Sequence, residues 1–251
     1  MRVRTPSPIR TVDFRARDAW LAVLEAATIA PVTPAPAAVV AGIAEPALDT
    51  FVLAPGAVLL RRFAAPVDAA LWDAIQAIVA RAPFRHMETP GGFTMAVAMT
   101  NCGALGWVSD VHGYRYDARD PATGFAWPAL PPAFVELSLQ AASRAGFAGF
   151  IPDACLVNRY APGARLTLHQ DRNERDFDAP IVSVSLGLPA VFLFGGRKRA
   201  DRPLRVPLRH GDTVVWGGPS RLNYHGVAPV KPGHHERLGG CRINLTFRKA
   251  A

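Results

Sequence analysis

The 251-residue chain has only three cysteines, Cys102, Cys155 and Cys241. An odd, widely spaced set excludes a closed disulfide framework, and no CxxC pair exists for a redox or zinc site. This usage suits a reducing compartment, and a cytoplasmic location is expected. No run of 18 apolar residues occurs, so no membrane-spanning helix is expected. The basic start of the chain (Arg2, Arg4, Arg10) is broken by Asp13 and Asp18 before any apolar stretch, which is unlike a signal peptide. No repeat of fixed period is present. Acidic residues are in deficit, 20 Asp+Glu against 28 Lys+Arg, for a formal net charge of +8. The excess favours a polyanionic partner, nucleic acid ahead of an anionic membrane surface, although an arginine-rich composition alone gives the same sum.

Half of the residues are hydrophobic, enough to bury a core in one domain. Residues 12–28 predict a short helix with Trp20, Leu21 and Leu24 on one side. Residues 30–42 carry Pro31, Pro34 and Pro36 and predict an extended linker. Residues 1–45 therefore form an N-terminal extension, and 46–251 the compact domain. Within that domain, 51–63 predicts two short strands around Pro55-Gly56. Residues 66–81 predict a helix with Pro66 in its first turn and an apolar stripe of Leu71, Ile75, Ile78 and Val79. Residues 131–145 predict a second helix, opened by Pro131-Pro132 and closed by Gly146. After Pro152 the pattern changes to seven short β-like segments with no helix between them: ACLVNRY, ARLTLHQD, IVSVSLG, AVFLFGG, LRVPLRHG, DTVVWGG and RINLTFR. The expected class is mainly β with flanking helices (α+β), built on a sandwich, barrel or jelly roll.

Four segments carry chemistry. In His169-Gln170-Asp171 the two ligand types sit at i and i+2, which on an extended strand places them on one side. A lone HxD triplet is weak, since a hydrogen-bonded or surface histidine explains His169 equally well. His225 follows 54 positions after Asp171 in a Tyr-His-Gly turn. Two histidines and one carboxylate are the facial set that holds Fe(II) with open positions, and zinc hydrolases use the same three ligands. The last segment alternates strictly: Ile243, Leu245 and Phe247 face one way, and Arg242, Asn244, Thr246 and Arg248 the other. Alternation usually marks a strand with one wet face. Asn158 and Tyr160 form a second polar pair at i and i+2. Two arginines, two asparagines and a tyrosine beside a metal suit a small dianion, because the guanidinium fork matches a carboxylate. A dicarboxylate such as 2-oxoglutarate meets that requirement, and a zinc hydrolase has no use for it.

These segments carry a family resemblance. MTNCGALGW (99–107), GYRY (113–116), PDACLVNRYAPGARLTLHQD (152–171), PIVSVSLGLPAVFLFGG (180–196), HGDTVVWGG (210–218), SRLNYHG (220–226) and CRINLTFR (241–248) resemble the AlkB family of Fe(II)- and 2-oxoglutarate-dependent dioxygenases, closest to its bacterial branch. The resemblance runs from about residue 56 to 249. It implies a double-stranded β-helix (jelly-roll) core and the oxidative removal of N-alkyl groups from bases such as 1-methyladenine and 3-methylcytosine. Etheno adducts are a further lesion that the resemblance allows. It implies Fe(II), 2-oxoglutarate and O2 as cofactors, with formaldehyde, succinate and CO2 released.

Residue by residue, the resemblance implies His169, Asp171 and His225 as iron ligands. It implies Asn158, Tyr160, Arg242, Asn244 and Arg248 as the 2-oxoglutarate pocket, with Arg242 on the distal carboxylate. Trp107, Tyr114 and Tyr116 match a nucleotide-recognition lid (about 99–127), where an aromatic face would stack on a flipped base. Arg199 matches a base-pocket arginine. His210 is expected to be structural. The implied partner is alkylated nucleic acid, single-stranded DNA first and RNA as an alternative, with no membrane and no demand for more than a monomer. A hydroxylase acting on protein or a small molecule, and a non-catalytic jelly-roll binder, are the competing readings.

One position departs from the family pattern. Two residues after the metal carboxylate the bacterial branch has a second aspartate facing the base, and this chain has Asn173. The amide keeps an acceptor and loses the charge. Charge-assisted hydrogen bonds are stronger by about 1 kcal/mol, so the expectation is a preference tilted away from cationic bases by about tenfold at most.

Overall fold

A computed structural model describes residues 49–251. The helix expected over 12–28, the linker over 30–42 and the rest of the extension to residue 45 lie outside the described residues. In chain order the elements are β1 (Thr50–Ala54), β2 (Ala57–Leu60), α1 (Asp68–Arg81), β3 (Arg85–Glu88), β4 (Thr94–Gly103), β5 (Gly106–Asp110), β6 (Gly113–Asp117) and α2 (Pro132–Arg144). They continue with β7 (Ala154–Tyr160), β8 (Leu166–His169), β9 (Ile181–Gly187), β10 (Ala190–Phe194), β11 (Leu204–Leu208), β12 (Thr213–Trp216), β13 (His225–Val227) and β14 (Arg242–Arg248). No described helix is long and apolar enough to cross a membrane.

Two antiparallel sheets form the jelly roll. The large sheet runs β1-β2-β12-β9-β14-β7-β4-β3, and the small one β11-β10-β13-β8. Leu59, Ile181, Val214 and Trp216 of the large sheet pack with Phe192, Phe194, Val206 and Leu208 of the small one. The outer face of the large sheet is covered by the helices. Leu71, Ile75 and Ile78 of α1, and Phe134, Leu137 and Ala141 of α2, pack on Val157, Val184, Ile243, Leu245 and Phe247.

The strict alternation of β14 therefore has a different meaning from the usual wet face. All seven of its residues are buried. Ile243, Leu245 and Phe247 meet the helices, and Arg242, Asn244, Thr246 and Arg248 face the interior between the sheets. Truncating Phe247 to Ala would cost about 3–5 kcal/mol, as for other enclosed aromatic residues.

The strands after Pro152 fall where the sequence pattern places them, and the two strands around Pro55-Gly56 form as expected. Gly56 has φ 74°, and a Cβ there would lie 2.5 Å from the Gly217 carbonyl, so the turn requires glycine. Three expectations need correction. Pro66 lies in a separate 3-10 turn (Ala65–Val67), and α1 begins at Asp68; the proline suits this tighter turn because it has no N–H to lose. His225 opens a short strand and not a turn. The segment 99–127 is not one lid: residues to Gly103 belong to β4 in the large sheet, and β5 and β6 form a separate two-stranded hairpin.

Candidate active site

A cavity of about 500 Å³ opens between the two sheets, a normal size for a small-molecule site. Strand register explains its metal-type cluster. His225 on β13 is the direct cross-strand partner of His169 on β8, so both imidazoles leave the small sheet at one level. Gly226 allows this close approach, since a Cβ there would lie 2.7 Å from the Leu166 carbonyl. The ring centroids are 4.4 Å apart. β8 ends at His169, so Asp171 reaches the site from the following loop and not from the same strand as expected. Its carboxylate oxygens lie 3.7 Å from His169 Nε2 and 3.8 Å from His225 Nε2.

The backbone fixes both imidazoles. His169 Nδ1 sits 2.8 Å from the Thr167 carbonyl, and His225 Nδ1 3.1 Å from the Asn223 carbonyl. A carbonyl can only accept, so each Nδ1 carries the proton and each Nε2 presents a lone pair to the shared centre. Burial, reinforced by neighbouring His169, pushes His225 down to about 4, so it is neutral near pH 7. Burial alone would raise Asp171, but Arg248 and the two histidines outweigh it and hold the carboxyl well below the usual range. Arg248 Nε and Nη2 donate to Asp171 Oδ2 at 2.9 and 2.7 Å. Two imidazole nitrogens and an ionised carboxylate fit Fe(II).

The deeper floor fits a dianion. Arg242 is 1% exposed, donates through Nη2 to Ser185 Oγ at 2.9 Å, and lies over the Tyr160 ring. Its Nε and Nη1 have no partner, and among the described residues no carboxylate pairs with it. A guanidinium this deep is costly without an anion, which makes the empty donors the clearest sign of a ligand. Asn158 Oδ1 is also unpartnered. Asn244 donates to Ser183 Oγ and to the Val184 carbonyl, and accepts from Asn158 Nδ2 at 3.3 Å, so it also orients Asn158.

The mouth is aromatic. Trp107 and Tyr114 stack at 5.7 Å with an interplanar angle of 16°, and both line the cavity with Asn173 and Arg199. Asn173 Oδ1 accepts from Trp107 Nε1 at 3.2 Å, and its Nδ2 donates to the Tyr114 carbonyl at 3.4 Å. Tyr116 is placed differently from the expectation: it does not line the cavity, and its hydroxyl donates to Glu174 Oε1 at 2.6 Å. Sequence reasoning missed Glu174 and Arg221. Both are buried and ion-paired at 3.2 Å, and nothing in HQDRNE or SRLNYHG separates them from surface charges. His210 lies outside the cavity lining, where its Nδ1 accepts from Gly187 N and its Nε2 meets Asp68.

Comparison with known proteins agrees with this geometry. Residues 56–248 match the model of the 2OG-Fe(II) oxygenase superfamily. Over 199 residues the chain is 62% identical to the alpha-ketoglutarate-dependent dioxygenase AlkB of Salmonella typhimurium, covering 79% of this chain and 92% of that one. It is 58% identical over 198 residues to the protein of the same name from Escherichia coli, with the same coverage. The solved structure of OsALKBH1 superposes with a TM-score of 0.68 at 30% identity, over 80% of this chain and 100% of that one. The chain thus belongs to the bacterial branch of the AlkB family within the 2OG-Fe(II) oxygenase superfamily, dioxygenases that take Fe(II), 2-oxoglutarate (alpha-ketoglutarate) and O2.

Proposed function

We propose that this chain removes alkyl groups from the ring nitrogens of nucleobases in damaged DNA. The substrate is single-stranded DNA, with RNA as a second polymer, and the protein acts as a monomer in the cytoplasm. One observation carries the reading: a stacked Trp107–Tyr114 pair sits at the mouth of a cavity whose floor combines the His169/Asp171/His225 cluster with Arg242, whose Nε and Nη1 have no partner. A planar base fits the mouth, and a dicarboxylate fits the floor.

Fe(II), when bound, supplies with 2-oxoglutarate and O2 the oxidising power to insert oxygen into an N-methyl C–H bond. The sum balances as N–CH3 + O2 + 2-oxoglutarate giving N–CH2OH + succinate + CO2, and the N–CH2OH group then releases formaldehyde and leaves N–H. The protein's part is placement and exclusion of water. His169, Asp171 and His225 hold the metal. Arg242 takes the distal carboxylate with Tyr160 beside it, Asn158 and Asn244 line the middle of the pocket, and Arg248 stands at the metal end beside Asp171. Trp107 and Tyr114 give the base a stacking face, and Asn173 and Arg199 contact it or its backbone. Leu156, Phe192, Trp216 and Val227 give the cavity apolar walls.

The test is mass spectrometry of a single-stranded oligonucleotide carrying one 1-methyladenine or 3-methylcytosine, with Fe(II), 2-oxoglutarate, ascorbate and air. The expected product has lost one CH2 unit in mass. The loss requires 2-oxoglutarate and is absent with His169→Ala. Succinate formation with no change in the oligonucleotide would refute the nucleobase assignment.

A further inference from the structure

Beside Asp171 and Arg248, which line the cavity, lie two further buried charges, Glu174 and Arg221, with no role in the site described above. Glu174, whose side chain is 2% exposed, receives the Tyr116 hydroxyl on Oε1 at 2.6 Å. Arg221 Nη2 lies 3.2 Å from its Oε2, and Arg248 Nε 3.4 Å from its Oε1. Arg248 also grips Asp171 Oδ2, and Arg221 Nη1 donates to the Asp171 backbone carbonyl at 3.1 Å. Two guanidinium groups thus hold two carboxylates, one of them the proposed metal ligand. Arg221 is fixed by the Ala179 carbonyl and the Phe177 ring, so the cluster has little freedom to rearrange. Burial opposes the charge on Arg248, yet the neighbouring carboxylates of Asp171 and Glu174 offset it and raise the basicity of the guanidinium.

The position of the cluster gives it a purpose beyond stability, for a buried ion group is often no more stabilising than an apolar one. One end is Tyr116 on β6. In the β5–β6 hairpin, β5 is anchored to the body of the domain by Asn101 on the Trp107 backbone and by Ser109 on the Glu88 carbonyl, whereas β6 reaches residues 171–174 through the Tyr114 carbonyl and the Tyr116 hydroxyl. The other end is Asp171. The backbone from Asp171 to Glu174 is four residues long and carries the metal carboxylate, the Asn173 contact with the aromatic pair, and the Glu174 contact with Tyr116.

We propose that Glu174 is a positioning residue that couples the nucleotide platform to the metal site. The inference rests on the functional reading above. A base stacked on Trp107 and Tyr114 fixes β6 and keeps the Tyr116 hydroxyl on Glu174. Glu174 then holds Arg248 and Arg221 in the arrangement that keeps Asp171 Oδ2 engaged and its other oxygen directed at His169. Substrate and metal therefore strengthen each other's binding, and the coupling is reciprocal by thermodynamic necessity.

The test reads binding rather than turnover. Mn(II) serves as a redox-silent probe, and free Mn(II) is counted by electron paramagnetic resonance. Its affinity for the metal-free protein is measured with and without a saturating oligonucleotide containing 1-methyladenine. In the wild type the oligonucleotide raises Mn(II) affinity by about fivefold or more, within the usual span of coupling between sites. Tyr116→Phe cuts the lid end of the link and leaves the ion cluster whole. It brings the ratio below about twofold with Mn(II) affinity in the absence of oligonucleotide unchanged. Glu174→Gln lowers both the ratio and the affinity of the free protein. Should Glu174→Gln fail to fold, Tyr116→Phe decides. A ratio that stays at the wild-type value in Tyr116→Phe overturns the proposal. A wild-type ratio of one, with dealkylation intact, overturns the coupling alone. A wild type that cannot dealkylate the same oligonucleotide overturns the functional reading and the coupling together.

Discussion

Strand β14 and the β5–β6 hairpin both deliver polar or aromatic side chains to the same cavity, but by opposite means. β14 lies between β7 and β9, is paired along both edges, and is buried at every residue. Its arginines and asparagine are held by a backbone that cannot shift without breaking two ladders. The hairpin is a two-stranded sheet, and its Tyr114 remains 46% exposed. Its stacking pair is held mainly through side chains, with Asn173 bridging Trp107 and Tyr114. The rigid floor suits the proposed metal and small dianion, and the more exposed mouth suits the proposed nucleotide.

The sharpest way to break the floor is acid. His225 faces His169, Asp171 and Arg248, and its folded value of about 4 lies below the 6.5 of the free side chain. Between those values the unfolded chain holds a proton that the folded one does not. Stability is therefore full above pH 6.5 and falls as the pH drops towards 4, by about 3 kcal/mol in total. Urea melts of the metal-free protein at several pH values, set against His225→Asn, read this directly. An acid slope equal in the two proteins would contradict it.

A pair of substitutions separates floor from mouth. Arg242→Met removes a charge-assisted contact and raises the KM for 2-oxoglutarate by about 10- to 100-fold, while the oligonucleotide KM holds. Trp107→Ala removes the stacking face and raises the oligonucleotide KM by about 5- to 100-fold, while the 2-oxoglutarate KM stays within about twofold. If either substitution moved both constants equally, the division would be wrong.

The smallest effect concerns Asn173. An aspartate there could still accept from Trp107 Nε1, but it would lose the donor to the Tyr114 carbonyl and set two acceptors against each other. The negative charge that Asn173→Asp adds beside the stacked base raises the rate on cationic 1-methyladenine relative to neutral ethenoadenine by about tenfold at most. Competition between the two lesions in one oligonucleotide measures the ratio, and an unchanged ratio removes Asn173 from specificity.

Much of this was readable in advance because the signals were local. The period-2 pattern of Arg242–Arg248 identified β14 and divided its faces, and the 66–81 stripe found α1 apart from its first turn. What it could not show was that both faces of β14 are covered, since that depends on α1, α2 and the small sheet arriving from elsewhere in the chain. β3 and β4 gave no clean alternation and were not foreseen as strands of the large sheet. Tyr116 looked like a second stacking face because it lies two residues from Tyr114, whereas its hydroxyl is committed to Glu174 across 58 positions.

The sequence by itself determined the class of the fold and the chemical types at the site: two histidines, a carboxylate, and arginines on alternating strand positions. These follow from side-chain identity and strand periodicity, which act over a few residues. Only the tertiary structure decided that His169 and His225 face each other in register, that Arg242 is left with unpartnered donors, and that Glu174 joins the hairpin to Asp171. Those facts depend on burial and pairing between segments distant in the chain, and the cost of desolvating a charge exists only once the chain has closed around it.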